Sequence, residues 1–236
     1  MREVYGGQQG DEWLRSRIGR ITGSELAKVC SYLTRAAKGK VAGEPSAERD
    51  TYKMKLIAER LTGLDSPNVT LPRMQWGVDT EDEAATFYEM ATGEMVEKVG
   101  FVLHPEWDFA GASPDRLVGA DGLLEVKCPE TTTHLRYIAE DRIPPDYMPQ
   151  LVWELVCTQR KWVDFVSYDP RIKDEKAKFF CRRLAVEDLA WDTMRGRQVI
   201  AYFEDQALKF EHEIQQYIAE RGLVPVAPFP VRLRAA

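Results

Sequence analysis

The chain has 236 residues, 44% of them apolar and 30% charged, which suits one large globular domain with a proper core. No apolar run approaches the roughly eighteen residues of a membrane span, and the polar start Met-Arg-Glu-Val-Tyr-Gly-Gly-Gln has no signal-peptide pattern, so a cytoplasmic protein is expected. The formal charge of −6 argues against a general nucleic-acid coat but leaves room for a local basic channel.

Residues 9–18, with Asp11, Trp13, Leu14 and Ile18, predict a short amphipathic helix. A second helix is predicted after Thr22, because Thr22 and Glu25 stand at capping-box spacing ahead of Leu26, Val29 and Cys30. The run Arg17 to Ser24 therefore brings basic side chains and hydroxyls to a helix N-terminus, either a plain cap or an anion site. Between Lys28 and Gly43 lie four basic residues (Lys28, Arg35, Lys38, Lys40) and no acid, and residues 31–46 read as a mobile basic loop. Ala47 to about Thr62 predicts a helix with Ser46 as N-cap and Gly63 as stop, followed by a linker from Asn68 to Pro72. The next helix, about 75–92, carries Trp76, Gly77 and Glu81, with Asp82 and Glu83 expected on a solvated face.

Residues 94–103 predict the first convincing strand, and a second follows to Ala112. Asp115 comes just after Pro114, and Leu123–Lys127 forms a short strand entered through the turn Ala120-Asp121-Gly122. These two pieces read as adjacent strands of a hairpin, with Glu125 and Lys127 on one face and Leu124 and Val126 on the other. Helices are predicted over about 131–141 and 147–158, the latter turning Leu151, Val152, Leu155 and Val156 to the core and Tyr147 and Gln150 to the opposite side. Strands over 162–168 and 179–184 precede one long or broken helix at 187–221 and a Pro-rich tail at 225–236. This order predicts an α/β fold with a central mixed β-sheet flanked by helices. The four cysteines, Cys30, Cys128, Cys157 and Cys181, lie far apart and are expected to be reduced and mostly buried; His104, His134 and His212 fall in no metal spacing and read as structural.

Two carboxylates and an ammonium converging on one end of a hairpin suit a divalent metal, since Mg²⁺ takes one or two carboxylates together with waters and phosphate oxygens. Lys127 beside them is of the type that orients or deprotonates a water or steadies negative charge. Acid, nine residues, acid, one residue, lysine is the PD-(D/E)xK nuclease pattern. On spacing alone, a solvated hairpin with an ion pair explains these residues equally well.

Six segments decide between the two. Arg17–Glu25, Trp76-Gly77 with Glu81, Ser113-Pro114-Asp115, Leu124–Pro129, Tyr147–Gln150 and Tyr168–Arg171, in that order, resemble the lambda-exonuclease or YqaJ-type viral recombinase nucleases. The resemblance implies a PD-(D/E)xK restriction-endonuclease-like core, and a processive 5′-to-3′ exonuclease on linear duplex DNA that leaves 3′ overhangs. It implies two Mg²⁺ ions, with Mn²⁺ a substitute, held by Asp115, Glu125, the Val126 carbonyl and Glu81. Lys127, supported by Gln150, would position or activate the water. Arg17, Ser24 and Ser113 would hold the 5′-phosphate, with Thr22 and Tyr147 in support. The same resemblance implies a homotrimeric ring, a single-strand annealing partner and a phage or prophage origin in a bacterial cytoplasm. Residues 1–224 would form the nuclease domain, with an arch-like basic loop at about 31–50 that departs from the lambda pattern, and the tail has no counterpart. The competing expectations are a structure-specific endonuclease of the same fold, an iron–sulfur relative with four cysteine ligands, and a non-catalytic DNA-end-binding module.

Overall fold

The computed structural model describes residues 1–4, 10–36, 39–65 and 72–226. In chain order its elements are β1 (Arg2–Val4), α1 (Asp11–Arg17), β2 (Ile21–Thr22), α2 (Leu26–Val29), α3 (Ala47–Thr62) and α4 (Pro72–Thr92). There follow β3 (Val96–Lys98), β4 (Phe101–Leu103), β5 (Ala110–Ala112), β6 (Arg116–Val118), β7 (Gly122–Lys127), α5 (Thr131–Glu140) and α6 (Met148–Thr158). The chain continues through β8 (Trp162–Tyr168), β9 (Phe179–Ala185), β10 (Ala190–Trp191), β11 (Met194–Arg195) and α7 (Arg197–Glu220).

The main sheet has the order β3-β6-β7-β8-β9, with β7 and β8 parallel and every other neighbour antiparallel, so it is mixed as expected. A second sheet, β1-β4-β5-β2, lies beside it. The alternation of β7 feeds two cores. Leu123 joins Phe165 and the apolar faces of α6 and α7 (Leu151, Leu155, Phe203, Phe210), while Leu124 and Val126 pack with Ala84, Ala85 and Tyr88 of α4. Each fully buried large side chain in these cores contributes about 1.5–3 kcal/mol. Glu125 and Lys127 share the face of Leu123, which turns them toward the α6 layer.

α3 was legible to its last residue. The Ser46 hydroxyl accepts from the Arg49 N–H at 3.1 Å, and Gly63 takes a left-handed φ of 69° that ends the helix. Three ion pairs tie α3 to α7: the buried Arg60–Glu211 pair, with bonds of 2.8 and 2.6 Å, Arg49–Glu213, with two bonds of 2.8 Å, and Lys53–Glu213 at 3.2 Å.

Several expectations are corrected. The 94–103 strand is two strands in different sheets, because the chain crosses from one sheet to the other at Val99-Gly100. The hairpin partner of β7 is β6, not the strand that ends at Ala112, so Asp115 sits in the connection between the sheets. Thr22 makes no side-chain cap; it pairs with Gly111 as the last residue of β2, and a 3₁₀ turn, Gly23–Glu25, leads into an α2 of only four residues. The described part of 31–46 is a loop tied at its base, with Leu33 N–H donating to the Glu44 carbonyl and Gly43 N–H to the Leu33 carbonyl; Ala37 and Lys38 lie outside the described residues, and 47–50 belong to α3. Pro72 starts α4 instead of ending a linker, of which 66–71 are not described. Before α7 the expected helix is replaced by a 3₁₀ turn and the β10–β11 hairpin.

Asp82 and Glu83 lie on a solvated face as expected and find partners there: Lys98 and Arg116 pair with Asp82, and the Tyr168 hydroxyl donates to Glu83 at 2.8 Å. All four cysteines are free thiols, but only Cys157 is fully buried. His134 is buried between Ser167 and the Ala177 carbonyl, and His104 stacks 3.9 Å from Trp107, both structural as expected. Of the tail, Val226 N–H donates to the Arg60 carbonyl, and 227–236 lie outside the described residues.

Candidate active site

Glu125 reaches the α6 layer because it occupies the α6-facing register of β7, one residue pair away from Leu123. Its Oε1 accepts from Lys127 Nζ and from Gln150 Nε2, each at 2.5 Å, while its Oε2 is buried without a hydrogen-bond partner. Asp115 is fixed from the other side of the same strand end: its Oδ2 accepts the Val126 N–H at 2.7 Å. The structure thus brings Asp115, Glu125, Lys127 and Gln150 together. Gln150 donates in turn to Glu154 Oε1 at 2.9 Å, and Glu154 Oε2 is likewise buried and unpartnered.

The electrostatics are those of crowded negative charge. Burial, then the charges of Glu125 and Glu81, push the Asp115 carboxyl well above its ordinary range. Burial and the neighbouring Glu125 push Glu154 up in the same way. Burial works against the Lys127 ammonium, but the Glu125 and Asp115 carboxylates outweigh it and hold the group above the usual lysine range. One ammonium facing three carboxylates leaves this pocket short of positive charge, and the unpartnered Glu125 oxygen is a hard donor. Both features fit a divalent cation bound by Asp115 and Glu125. Among the described residues no three His, Cys, Asp or Glu side chains close into a full metal cage. Mg²⁺ does not need one, because it keeps waters and substrate oxygens.

Glu81 projects from α4 into the same cleft of about 540 Å³, which Trp76, Asp115, Lys127, Glu130 and Tyr147 also line. Its Oε1 is held by Arg116 Nη1 at 2.5 Å, and Arg116 also bonds the Asp115 carbonyl and Asp82. Tyr147 lies with its ring 5.2 Å from Lys127 Nζ. Arg171, held by Asp169 at 2.7 Å, stacks 5.1 Å over Trp76 and so ties the Tyr168–Arg171 segment to the cleft wall.

Of the expected phosphate ligands, the structure joins two. Ser113, two residues before Asp115, receives Arg17 Nη1 at 3.3 Å and the Trp13 indole N–H at 2.9 Å, and Arg17 stacks 4.5 Å over the Trp13 ring. Burial lowers the Arg17 pKa. Ser24 is exposed on the 3₁₀ turn, and no hydrogen bond links it to Arg17 or Ser113. Thr22 is buried in β2, where the Tyr52 hydroxyl meets its backbone N–H at 3.4 Å. The helix expected to present its N-terminus here is a single turn, and Arg17 and Ser113 meet through side chains alone. Sequence reasoning missed Trp13, Arg116 and Glu154. Each left a signal: Trp13 stands four residues before Arg17, Arg116 follows Asp115, and Glu154 stands four residues after Gln150.

A family model described as the YqaJ-like viral recombinase domain matches residues 12–161. Among solved structures, the alkaline exonuclease LHK-Exo from Laribacter hongkongensis is 36% identical, with a TM-score of 0.76 over 90% of this chain and 96% of that one. The structure of LHK-Exo in complex with dAMP is 34% identical, with a TM-score of 0.74 over 90% and 98%. A phage-related exonuclease from Haemophilus somnus 129PT, 12% identical, shares the fold with a TM-score of 0.62 over 86% of this chain and 96% of that one. No curated protein matches the chain. The mixed sheet and its flanking helices are the PD-(D/E)xK fold. With the family model spanning more than half of its length, the chain belongs to the YqaJ-like viral recombinase family.

Proposed function

We propose that this protein is a metal-dependent deoxyribonuclease that degrades one strand of a linear DNA duplex from its 5′ end and leaves a 3′ overhang. The observation that carries this reading is the Glu125–Lys127 pair beside Asp115, with one buried Glu125 oxygen unpartnered, next to an open cleft that Asp115 and Lys127 line. The 36% identity to an alkaline exonuclease over most of both chains supports it.

Asp115 and Glu125 would hold Mg²⁺, joined by the Val126 carbonyl and, for a second ion, by Glu81; Mn²⁺ would substitute. Bound divalent ions lower the pKa of water and neutralise charge on the phosphodiester. Lys127, kept cationic by its two carboxylate neighbours, serves as a donor that orients the water and steadies negative charge, not as a base. Gln150 holds Glu125 in place from α6. Arg17 and Ser113 bind the 5′-phosphate close to Asp115 and so set polarity; Ser24 reaches that phosphate only once DNA is bound. Residues 1–224 act as one nuclease domain. Three copies form a ring around the DNA, which makes digestion processive because release requires running off an end. The product overhang passes to a single-strand annealing protein in a bacterial cytoplasm that carries phage genes.

The test is digestion of a linear duplex labelled separately on each strand, with Mg²⁺ and with chelator, beside a covalently closed circle. Metal-dependent loss of only the 5′-phosphorylated strand, with the circle intact, is expected. A cut circle would transfer the assignment to a structure-specific endonuclease, and an intact linear duplex would leave only end binding.

A further inference from the structure

α6 runs behind the end of β7, and its register stacks Gln150 and Glu154 one turn apart on the face toward Glu125. A glutamine amide has two N–H donors and one carbonyl acceptor. Here both donors are committed, one to Glu125 Oε1 at 2.5 Å and the other to Glu154 Oε1 at 2.9 Å. An amide held at one point can turn over and present its carbonyl oxygen to Glu125, where two oxygens repel. A second acceptor on the amide nitrogen removes that alternative.

Among the described residues the Glu154 side chain makes no other hydrogen bond. It is 1% exposed, lies outside the cleft lining, and keeps one oxygen buried without a partner. Its neighbours on α6, Leu151, Val152, Trp153, Leu155 and Val156, are all buried and apolar. A residue selected for stability alone at this position would be apolar as well, because a buried acid with an empty lone-pair site is costly.

We propose that Glu154 is a positioning residue: through the Gln150 amide it fixes the Glu125 carboxylate so that Oε2 stays free for a divalent cation. The inference rests on the reading of Glu125 as a metal-binding carboxylate. A group that hydrogen-bonds a ligand directly, as Gln150 does, characteristically changes metal affinity or activity by about 10–100-fold, and Glu154 acts one step behind it through that amide.

The test compares Glu154→Met, which is close in volume but offers no strong acceptor, with Glu154→Gln, which keeps a carbonyl. Each is made in the wild type and in a Gln150→Ala background. Three quantities are read: the melting temperature in chelator, Mn²⁺ affinity from the electron paramagnetic resonance signal of free Mn²⁺, and kcat and KM on a 5′-phosphorylated duplex. Glu154→Met is expected to melt no lower than the wild type, to bind Mn²⁺ about 10–100-fold more weakly, and to lose kcat with KM for DNA unchanged. Glu154→Gln recovers most of both, and Glu154→Met costs nothing further once Gln150 is Ala. Wild-type Mn²⁺ affinity in Glu154→Met, or an equal loss in both backgrounds, overturns the proposal. Should Glu154→Met not fold, Glu154→Leu carries the same comparison. A wild type that binds Mn²⁺ yet cuts no DNA overturns the nuclease reading alone, and the Mn²⁺ arm then decides the role of Glu154. A wild type that binds no Mn²⁺ overturns both.

Discussion

Replacing Asp115 with Asn should stabilise the metal-free protein while abolishing cleavage. Its side-chain oxygen can still accept the Val126 N–H, so the geometry survives and only the charge goes. In the folded chain, burial and the charges of Glu125 and Glu81 raise the Asp115 pKa above its unfolded value. The native state therefore binds this proton more tightly than the unfolded state. The contribution of this group to stability is fully present below the ordinary carboxylate pKa of about 3.9, and is lost as pH rises toward the raised folded value, by up to about 1.4 kcal/mol per pH unit for each proton. Glu154, raised for similar reasons, adds to the same fall. Lys127 contributes with the opposite chemistry: its raised pKa supports the fold below the ordinary lysine pKa, and that support is lost only in strong alkali. Removing a charge that serves function at the expense of the fold commonly yields about 0.5–2 kcal/mol. At about 2–4 °C per kcal/mol for a chain of this size, Asp115→Asn should melt about 1–8 °C above the wild type in chelator at pH near 8. The gap should narrow near pH 5, and saturating Mg²⁺ should raise the wild type alone. Scanning calorimetry across pH, with and without chelator, reads all three. A variant that melts below the wild type at pH near 8, or a gap that does not change with pH, would refute the electrostatic account of this site.

Three further outcomes follow from the same geometry. Arg17→Ala removes a charged donor from Ser113 and the phosphate, worth about 1.5–3 kcal/mol; digestion of a 5′-phosphorylated end should fall about 10–100-fold, and that of a 5′-hydroxyl end far less. Equal losses on the two ends would sink the phosphate assignment. Glu211→Leu leaves the buried Arg60 guanidinium without its carboxylate and should cost about 3–5 kcal/mol, a drop of roughly 6–20 °C, most of it regained in Arg60→Met/Glu211→Leu. Gly111→Ala places a Cβ 2.6 Å from the Val102 carbonyl oxygen across the β4–β5 pair, where backbone cannot retreat; a loss of about 1–3 kcal/mol by chemical denaturation is expected, and an unchanged midpoint would mean that these strands can part.

What the sequence made legible was whatever is encoded over a few residues. Ser46 and Gly63 bound α3 through hydrogen bonds and a backbone angle that belong to the helix itself. Asp115, Glu125 and Lys127 were legible as a group because one connection and one strand carry them all. What failed depended on where the chain goes in space. The strand pattern from Val96 to Leu103 reads as one element, yet the chain leaves one sheet for the other at Val99-Gly100, and its hydropathy does not mark the change of sheet. Thr22 and Glu25 have capping spacing, but Thr22 finds a strand partner in Gly111, and that pairing outcompetes the cap. Arg17 and Ser113 are far apart in the chain, and only the resemblance to a nuclease family joined them before the fold did.

The support of the site shows the same division. Gln150 stood out because it belongs to a recognisable segment, whereas Glu154 sits inside an apolar run and reads as an interruption of it. A polar residue four positions after a motif glutamine, on a helix otherwise apolar, is a signal only once that helix is known to back the strand that carries the acid. Then the spacing has a single consequence: one turn of α6 carries a chain of hydrogen bonds from Glu154 through Gln150 to Glu125. The residues that face the cleft are written locally along β7, and the residue that holds them in place is written in the period of the helix behind it.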